Sequence, residues 1–289
     1  MIVIDYNQVA IGAFMAELRN RSDVEVNLPL LRHMILNTIR SYNKKHREEF
    51  GGVVIACDNR HYWRRQVFPQ YKAGRKTTRE ASSLDWSIIF ESLNIIRDEL
   101  SEVFPYPLID VDGAEADDVI GTLAEYSQTI GEPGPLFEDE ITPEPFLIVS
   151  GDHDFKQLQK YNNVKQFSPL TKKEVKDDNP RLNLIDKILR GDAGDGVPNV
   201  LSHDDTFVNG DRQTPLSKKK KEAIIEDLSE GELLYAASWY RNYQRNEKLI
   251  DLTQTPQQLK NQIIDEFWIT VPAENTARVL PYLINKQCK

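Results

Sequence analysis

Carboxylates stand at the ends of apolar runs along the first two thirds of this 289-residue chain, in a pattern that could hold divalent cations. Asp5 follows Met1-Ile2-Val3-Ile4, and Asp58 follows Val53-Val54-Ile55-Ala56-Cys57. Glu115, Asp117 and Asp118 come shortly after Leu108-Ile109-Asp110-Val111. Asp152 and Asp154 follow Phe146-Leu147-Ile148-Val149, and Asp192 and Asp195 lie in Gly191-Asp-Ala-Gly-Asp-Gly196. Like charges gathered this way raise one another's pKa unless a cation offsets them. Oxygen donors with no Cys or His among them favour Mg²⁺ or Mn²⁺ over Zn²⁺. Two such ions about 4 Å apart can activate water and stabilise the leaving oxygen of a phosphodiester. That chemistry needs no protein nucleophile, and none of His33, His46, His61, His153 and His203 forms a pair at ligand spacing. His153, between two acids, is expected to point away from them by alternation along an extended segment.

The elements that must position these acids follow from the apolar pattern. Four short runs read as buried strands, each ending in acids, which predicts an α/β fold with a central, mainly parallel sheet flanked by helices. Ligands of such sheets bind beyond the carboxyl ends of the strands. Helices are expected at Leu28 to Lys45, Asp85 to Val103 and Glu115 to Tyr126. On the last of these, Glu115 and Asp118 share a face while Asp117 sits to one side. The segment from Gly131 to Pro145, rich in Pro, Gly and acid, reads as a loop. Beyond Gly191 the pattern turns helical: Ser217 to Leu228, Glu230 to Ile250, Pro256 to Phe267 and Asn275 to Lys286. A boundary near residue 180 would separate an α/β core (1–180) from a helical C-terminal region (181–289).

Composition narrows the class. A hydrophobic content of 40% can fill a core, and Cys57 and Cys288 match neither a disulfide nor a metal spacing. No run reaches the ~18 apolar residues of a membrane span, and no basic, apolar leader opens the chain, which predicts a cytoplasmic protein. The net charge of −9 conceals a segregated distribution. Arg60, Arg64, Arg65, Lys72, Arg75, Lys76 and Arg79 fall in one segment interleaved with Trp63, Phe68 and Tyr71, and Lys218, Lys219, Lys220 and Lys221 form a second run. Cations beside aromatic faces suit single-stranded nucleic acid. The segment from Asp58 to Ala81 shows little apolar periodicity and reads as a surface excursion.

In this order and spacing the motifs resemble the flap endonuclease, or 5′-nuclease, superfamily, most closely its ribonuclease H group from T4-like bacteriophages. The likeness covers essentially the whole chain. It rests on Val3-Ile4-Asp5, Cys57-Asp58-Asn59, Tyr62-Trp63-Arg64-Arg65 with Tyr71-Lys72 and Arg75, Glu115-Ala116-Asp117-Asp118, Ser150-Gly151-Asp152-His153-Asp154-Phe155, Val164-Lys165-Gln166 with Ser168-Pro169, and Gly191-Asp192-Ala193-Gly194-Asp195.

The resemblance implies a PIN-like core, a helical arch over residues 60–84, and a Mg²⁺-dependent 5′ to 3′ exonuclease or flap endonuclease with ribonuclease H activity. Such enzymes remove RNA primers and short 5′ DNA segments in lagging-strand replication. It implies two Mg²⁺ ions, with Mn²⁺ as a substitute. Asp5, Asp58, Glu115, Asp118, Asp152 and Asp154 would build the first metal site. Asp192 and Asp195, with Asp154 nearby, would serve the second, and Asp117 stands beside the set. Lys72 and Arg75 would contact the scissile phosphate, Tyr71 would stack on a terminal base, and Arg64, Arg65 and Lys76 would line the arch. The substrates would be 5′-flap, nicked or RNA-primed DNA, met by a monomer in the host cytoplasm if phage-encoded. A sliding clamp and a single-strand binding protein are family partners without a legible docking motif here.

One departure stands out. The superfamily's Gly-hydrophobic-x-Gly hairpin lacks its second glycine in Gly196-Val197-Pro198-Asn199, and a polar insertion, Ser202 to Pro215, follows. Duplex contact is then expected from Lys218 to Lys221. The competing readings are a PIN-type ribonuclease, disfavoured by the arch and the C-terminal region, and an inactive DNA-binding replication factor, disfavoured by the complete acid set. An Asp-x-Asp phosphatase is disfavoured because the first acid sits in Asp5-Tyr-Asn.

Overall fold

The computed structural model describes residues 1–20, 27–80, 84–133, 141–230, 237–270 and 276–286. Its six-stranded sheet has the order β3-β2-β1-β6-β7-β8. The strands are β1 (Ile2–Asp5), β2 (Val53–Ala56), β3 (Leu108–Ile109), β6 (Phe146–Val149), β7 (Val164–Ser168) and β8 (Lys173–Val175). The first five are mutually parallel and β8 runs antiparallel to β7. The central strands are short β-branched runs because helices cover both faces: Ile2, Val3, Ile4, Ile55 and Ile148 are essentially inaccessible to solvent. The four strands read from sequence form the parallel centre. β7 and β8 lie outside that reading because Val164-Lys165-Gln166-Phe167-Ser168 places polar residues inward, at Gln166 and Ser168.

The helices are α1 (Tyr6–Asn20), α2 (Leu28–Phe50), α3 (Arg64–Val67), α4 (Arg75–Glu80), α5 (Trp86–Val103), α6 (Ala116–Tyr126), α7 (Pro180–Arg190), α8 (Lys218–Glu230), α9 (Tyr240–Ile250), α10 (Gln257–Thr270) and α11 (Val279–Asn285). Local chemistry sets several boundaries. Asn27 caps α2 through Leu30 N–H, and Asp85 caps α5 through Ser87 and Ile88 N–H. Pro180 opens α7 and Gly191 ends it.

Two helices escaped the sequence reading. α1 starts directly after the last strand residue, leaving no turn signal, whereas α7 does carry an apolar face, Leu184, Ile185, Ile188 and Leu189, which the reading passed over. The segment read as a loop from Gly131 contains an antiparallel pair, β4 (Gly131–Pro133) and β5 (Ile141–Pro143), because backbone pairing there needs no apolar side chains. Several sequence expectations fall outside the described residues: residues 81–83 of the expected arch, the stretch 231–236, Asn275 and Cys288.

The chain forms two compact units that interleave in sequence. One comprises Met1–His61, Asp85–Asp177 and Pro256–Lys289, and holds the sheet, with α10 packed on α6 and β3. The other comprises Tyr62–Leu84 and Asp178–Thr255. Packing thus groups the chain differently from a single cut near residue 180. The reason is apolar: Phe68 and Tyr71 are buried with Ile188, Leu189, Val197, Val200, Tyr243 and Leu249 in the core of the second unit. The basic segment after Asp58 is therefore anchored at Trp63, Phe68 and Tyr71 rather than being a free surface excursion. Among the described residues, no helix is long and apolar enough to cross a membrane.

Candidate active site

In the first unit the carboxyl ends of the parallel strands carry the acids. Asp5 is the last residue of β1 and is buried, at 6% exposure. One of its oxygens accepts the Gln8 N–H at 3.1 Å, capping α1, and the other accepts the Ser150 hydroxyl at 3.0 Å. Asp58 stands two residues past β2. Its Oδ1 accepts the Ala116 N–H at the start of α6 (2.9 Å) and its Oδ2 accepts from Asn7 Nδ2 (2.8 Å). Asp152 accepts the Asp154 N–H at 2.9 Å and so starts the 3₁₀ segment His153–Lys160. Helix capping, the ordinary use of an acid after a strand, thus occupies one oxygen of each carboxylate. A carboxylate offers about four lone-pair sites, so capping leaves capacity for a cation.

Burial first and charge crowding second set the electrostatics of this edge. Burial, reinforced by the nearby charges of Asp58 and Asp152, pushes the Asp5 carboxyl up to about 7 despite its two hydrogen bonds. Glu115 and Asp118 share a face as expected, and both are buried, at 2% and 0% exposure. Asp118 Oδ2 is turned back onto the Glu115 N–H at 2.9 Å, in a capping-box arrangement. Asp117 is half-buried to one side, Asp154 is half-buried, and Asp152 and His153 are exposed. The alternation argument for His153 does not apply, since that segment is helical rather than extended. Among the described residues, no three His, Cys, Asp or Glu side chains converge as a ready metal cage. The donors fit a hard divalent cation by chemistry and charge.

Three residues that support these acids were given no role from sequence, although Ser150 and Gln166 stand in motifs quoted above. Asn7 holds Asp58, Ser150 holds Asp5 and receives the Asp152 N–H (3.1 Å), and Gln166 donates to the carbonyls of Ser150 and Asp152. The available signal was a polar residue on an inward strand position at Gln166, and Asn7 and Ser150 beside an acid.

In the second unit the Gly191 loop carries Asp192 and Asp195. Gly191 has φ +68° and ψ −169°, a conformation reserved for glycine, and a Cβ there would meet Val197 O at 2.3 Å. That close approach lets Asp192 and Val197 exchange backbone hydrogen bonds of 2.8 and 2.7 Å, closing the loop. Burial alone would raise the Asp192 carboxyl, but the Lys187 ammonium at 3.0 Å overrides it and holds the group below its usual range. Asp195 accepts from Tyr71 Oη at 3.0 Å and from Arg75 at 2.5 Å, with Lys72 Nζ 3.7 Å away. Lys72 itself has φ +58°, held by its N–H donating to Asp195 O at 2.7 Å.

Three sequence expectations are corrected here. Tyr71 is 3% exposed, edge-on to Tyr62 and bonded to Asp195, so its ring has no face open for a base. Arg64 is 1% exposed and donates to Leu249 O at 2.9 Å, which makes it an internal strut. Lys221 pairs with Asp186 at 2.6 Å, leaving Lys218, Lys219 and Lys220 as the exposed part of that run. The polar insertion after Gly196 is held by its own contacts: Asn199 donates to Thr214 O and accepts from Leu201 N–H, and Asp204 accepts from Arg241 and Arg245. Arg65 and Arg75 remain exposed, Lys72 is half-buried, and the Lys76 side chain lies outside the described residues.

Residues 1–183 match the family described as 5′-3′ exonuclease, N-terminal resolvase-like domain, and residues 178–289 match the T4 RNase H C-terminal family. The chain belongs to the 5′-3′ exonuclease family. Within this nuclease family, it is 34% identical to ribonuclease H of Enterobacteria phage T4 over 274 residues, covering 92% of this chain and 85% of that protein. It is 28% identical to DNA polymerase I of Bacillus caldotenax over 214 residues, 69% of this chain but 22% of the polymerase. The fold is shared with the T5 D15 protein co-crystallized with metal ions (TM-score 0.61, 16% identity, 94% of this chain and 99% of that one). It is likewise shared with the bacteriophage T5 D15 flap endonuclease in complex with DNA and metal ions (TM-score 0.60, 14% identity, 93% and 98%).

Proposed function

We propose that this protein is a Mg²⁺-dependent 5′ to 3′ exonuclease and flap endonuclease with ribonuclease H activity, removing RNA primers and short 5′ DNA during lagging-strand replication. The observation that carries the reading is the buried Asp5 carboxyl, at the end of the central strand of a 5′-3′ exonuclease-family chain and crowded by Asp58 and Asp152. Asp5, Asp58, Glu115, Asp118, Asp152 and Asp154 are the proposed first-ion ligands, with Asp117 in reserve beside them. Asp192 and Asp195 are proposed for a second ion. When bound, divalent cations supply a hydroxide at neutral pH and charge stabilisation for the leaving oxygen. Asn7 and Ser150 hold two of these carboxylates in fixed orientations.

Lys72 and Arg75 are proposed phosphate contacts. Both now neutralise Asp195, so a phosphate would have to replace that carboxylate as their partner. Arg65 and the exposed lysines 218–220 are proposed to meet the nucleic-acid backbone, an electrostatic contribution that weakens with salt. The substrate class is 5′-flap, nicked or RNA-primed DNA, and a clamp and a single-strand binding protein remain proposed partners.

The test is cleavage of 3′-labelled flap, nicked and RNA-primed DNA with Mg²⁺ or with EDTA, comparing the natural chain with Asp58→Asn. Short 5′ products that require Mg²⁺ and vanish in the variant are expected. Structure-selective binding without cleavage would overturn the enzymatic reading in favour of a replication factor that only binds DNA.

A further inference from the structure

We infer that Gln166 is a positioning residue for the acid edge, fixing the Ser150–Asp152 turn that presents Asp152 and, through the Ser150 hydroxyl, Asp5. The inference rests on the proposed role of those two acids in holding a cation. Gln166 sits on β7, at an inward position where a strand ordinarily carries an apolar side chain, and is fully buried. Burying an amide costs free energy unless its hydrogen bonds are made. Here Nε2 donates to Ser150 O at 3.0 Å and to Asp152 O at 2.5 Å. Both carbonyls lie past the end of β6, beyond the last ladder bond from Ser150 N–H to Phe167 O. With two carbonyls as partners, the amide can present only its NH₂ group to the turn.

The other end of the amide is braced as well. Gln166 Oε1 accepts from Gln159 Nε2 at 3.4 Å, and Gln159 also donates to Val175 O at 3.0 Å and accepts the Asp177 N–H at 2.9 Å. The turn is tight from behind, since a Cβ on Gly151 would lie 2.9 Å from Gln8 Nε2 and 3.1 Å from Ser168 Oγ. Ser150, fully buried, then passes this fixed geometry on: its hydroxyl donates to Asp5 and accepts the Asp152 N–H. One side chain thereby locks the relative placement of two carboxylates on different strands.

The test is Gln166→Met, which keeps the length and removes both donors. Mn²⁺ binding measured by calorimetry without substrate should weaken about tenfold, the low end of what loss of a supporting shell costs a metal site. The Mg²⁺ concentration giving half-maximal cleavage should rise by a similar factor, and the maximal rate should return at excess Mg²⁺. A lower unfolding temperature with unchanged Mn²⁺ affinity would overturn the inference, because packing alone would then account for Gln166. If Gln166→Met does not fold, Gln166→Leu, smaller and likewise without a donor, decides by the same two readings. Asp152→Asn separates the two levels of argument: Mn²⁺ affinity unchanged there would refute the cation-binding reading itself, whereas loss there with none in Gln166→Met would refute only the positioning role.

Discussion

Replacing Asp5 with Asn should make the metal-free protein more stable at pH 8 and slightly less stable at pH 4. The Asp5 carboxyl rises in the fold from 3.8 to about 7, first through burial and then through Asp58 and Asp152. Below 3.8 it is protonated in both folded and unfolded chains. Between there and about 7 the folded state keeps a proton that the unfolded state has released, so stability falls as pH rises through that window and levels off above it. A shift of about three units corresponds to roughly 4 kcal/mol. Asn does not titrate, and its side-chain oxygen can still accept the Gln8 N–H. Its NH₂ group, however, faces the Ser150 hydroxyl and strands that proton, at a cost of about 1 kcal/mol. The variant should therefore be about 3 kcal/mol more stable at pH 8 and about 0.5 kcal/mol less stable at pH 4, the curves crossing near pH ~4.5. Urea unfolding in EDTA, followed by tryptophan fluorescence across that pH range, measures the difference directly. A difference that stays constant within ~1 kcal/mol from pH 4 to 8 would refute the raised Asp5 carboxyl. With Mg²⁺ added, the natural chain should recover stability at pH 8 and the variant should gain much less.

Three further outcomes are expected. Lys72→Ala should lower the cleavage rate by about 10² or more, as loss of a charge donor at a transition state does, while duplex affinity in EDTA changes little; equal losses in both would contradict a role in the chemical step. Arg64→Met should cost about 2 kcal/mol of stability by removing a buried donor from Leu249 O, with no change in the salt dependence of DNA binding, and a reduced salt slope would return Arg64 to the phosphate contacts. Gly191→Ala should destabilise the protein by roughly 2 kcal/mol or more, since the new Cβ meets Val197 O at 2.3 Å in a backbone conformation reserved for glycine; unfolding midpoints unchanged by the substitution would contradict the loop geometry.

The identity of the site elements was legible because strand ends and acids coincide in one dimension. Ile2-Val3-Ile4-Asp5 and Phe146-Leu147-Ile148-Val149 announce buried parallel strands by composition alone, and the sheet then delivers Asp5 and Asp152 to one edge whatever the side-chain details. The same local logic placed α5 and α6 close to their true limits and α2 at its true start, though α2 runs past the expected Lys45 to Phe50, where its residues are mostly charged. Where the apolar signal was thin, the reading thinned with it. β7 hides its inward positions behind Gln166 and Ser168, and β4 and β5 pair through backbone groups that sequence pattern does not report.

Which polar side chain reaches outward was decided only in three dimensions. Arg64 and Arg65 are adjacent and chemically alike, yet one is sealed against Leu249 and the other is exposed, because a short helix turns successive side chains about 100° apart. Tyr71 has the composition of a stacking residue, but the core of the second unit encloses its ring and Asp195 takes its hydroxyl. Charge crowding at Asp5 and the bracing of its partner turn by Gln166 likewise join residues up to 161 positions apart, which only tertiary packing brings together. The sequence by itself determined the types of the acids and the strands that gather them, because burial of apolar runs is a local demand. Their protonation, their partners and the choice of exposed cations belong to the tertiary structure, because burial and charge act through space rather than along the chain.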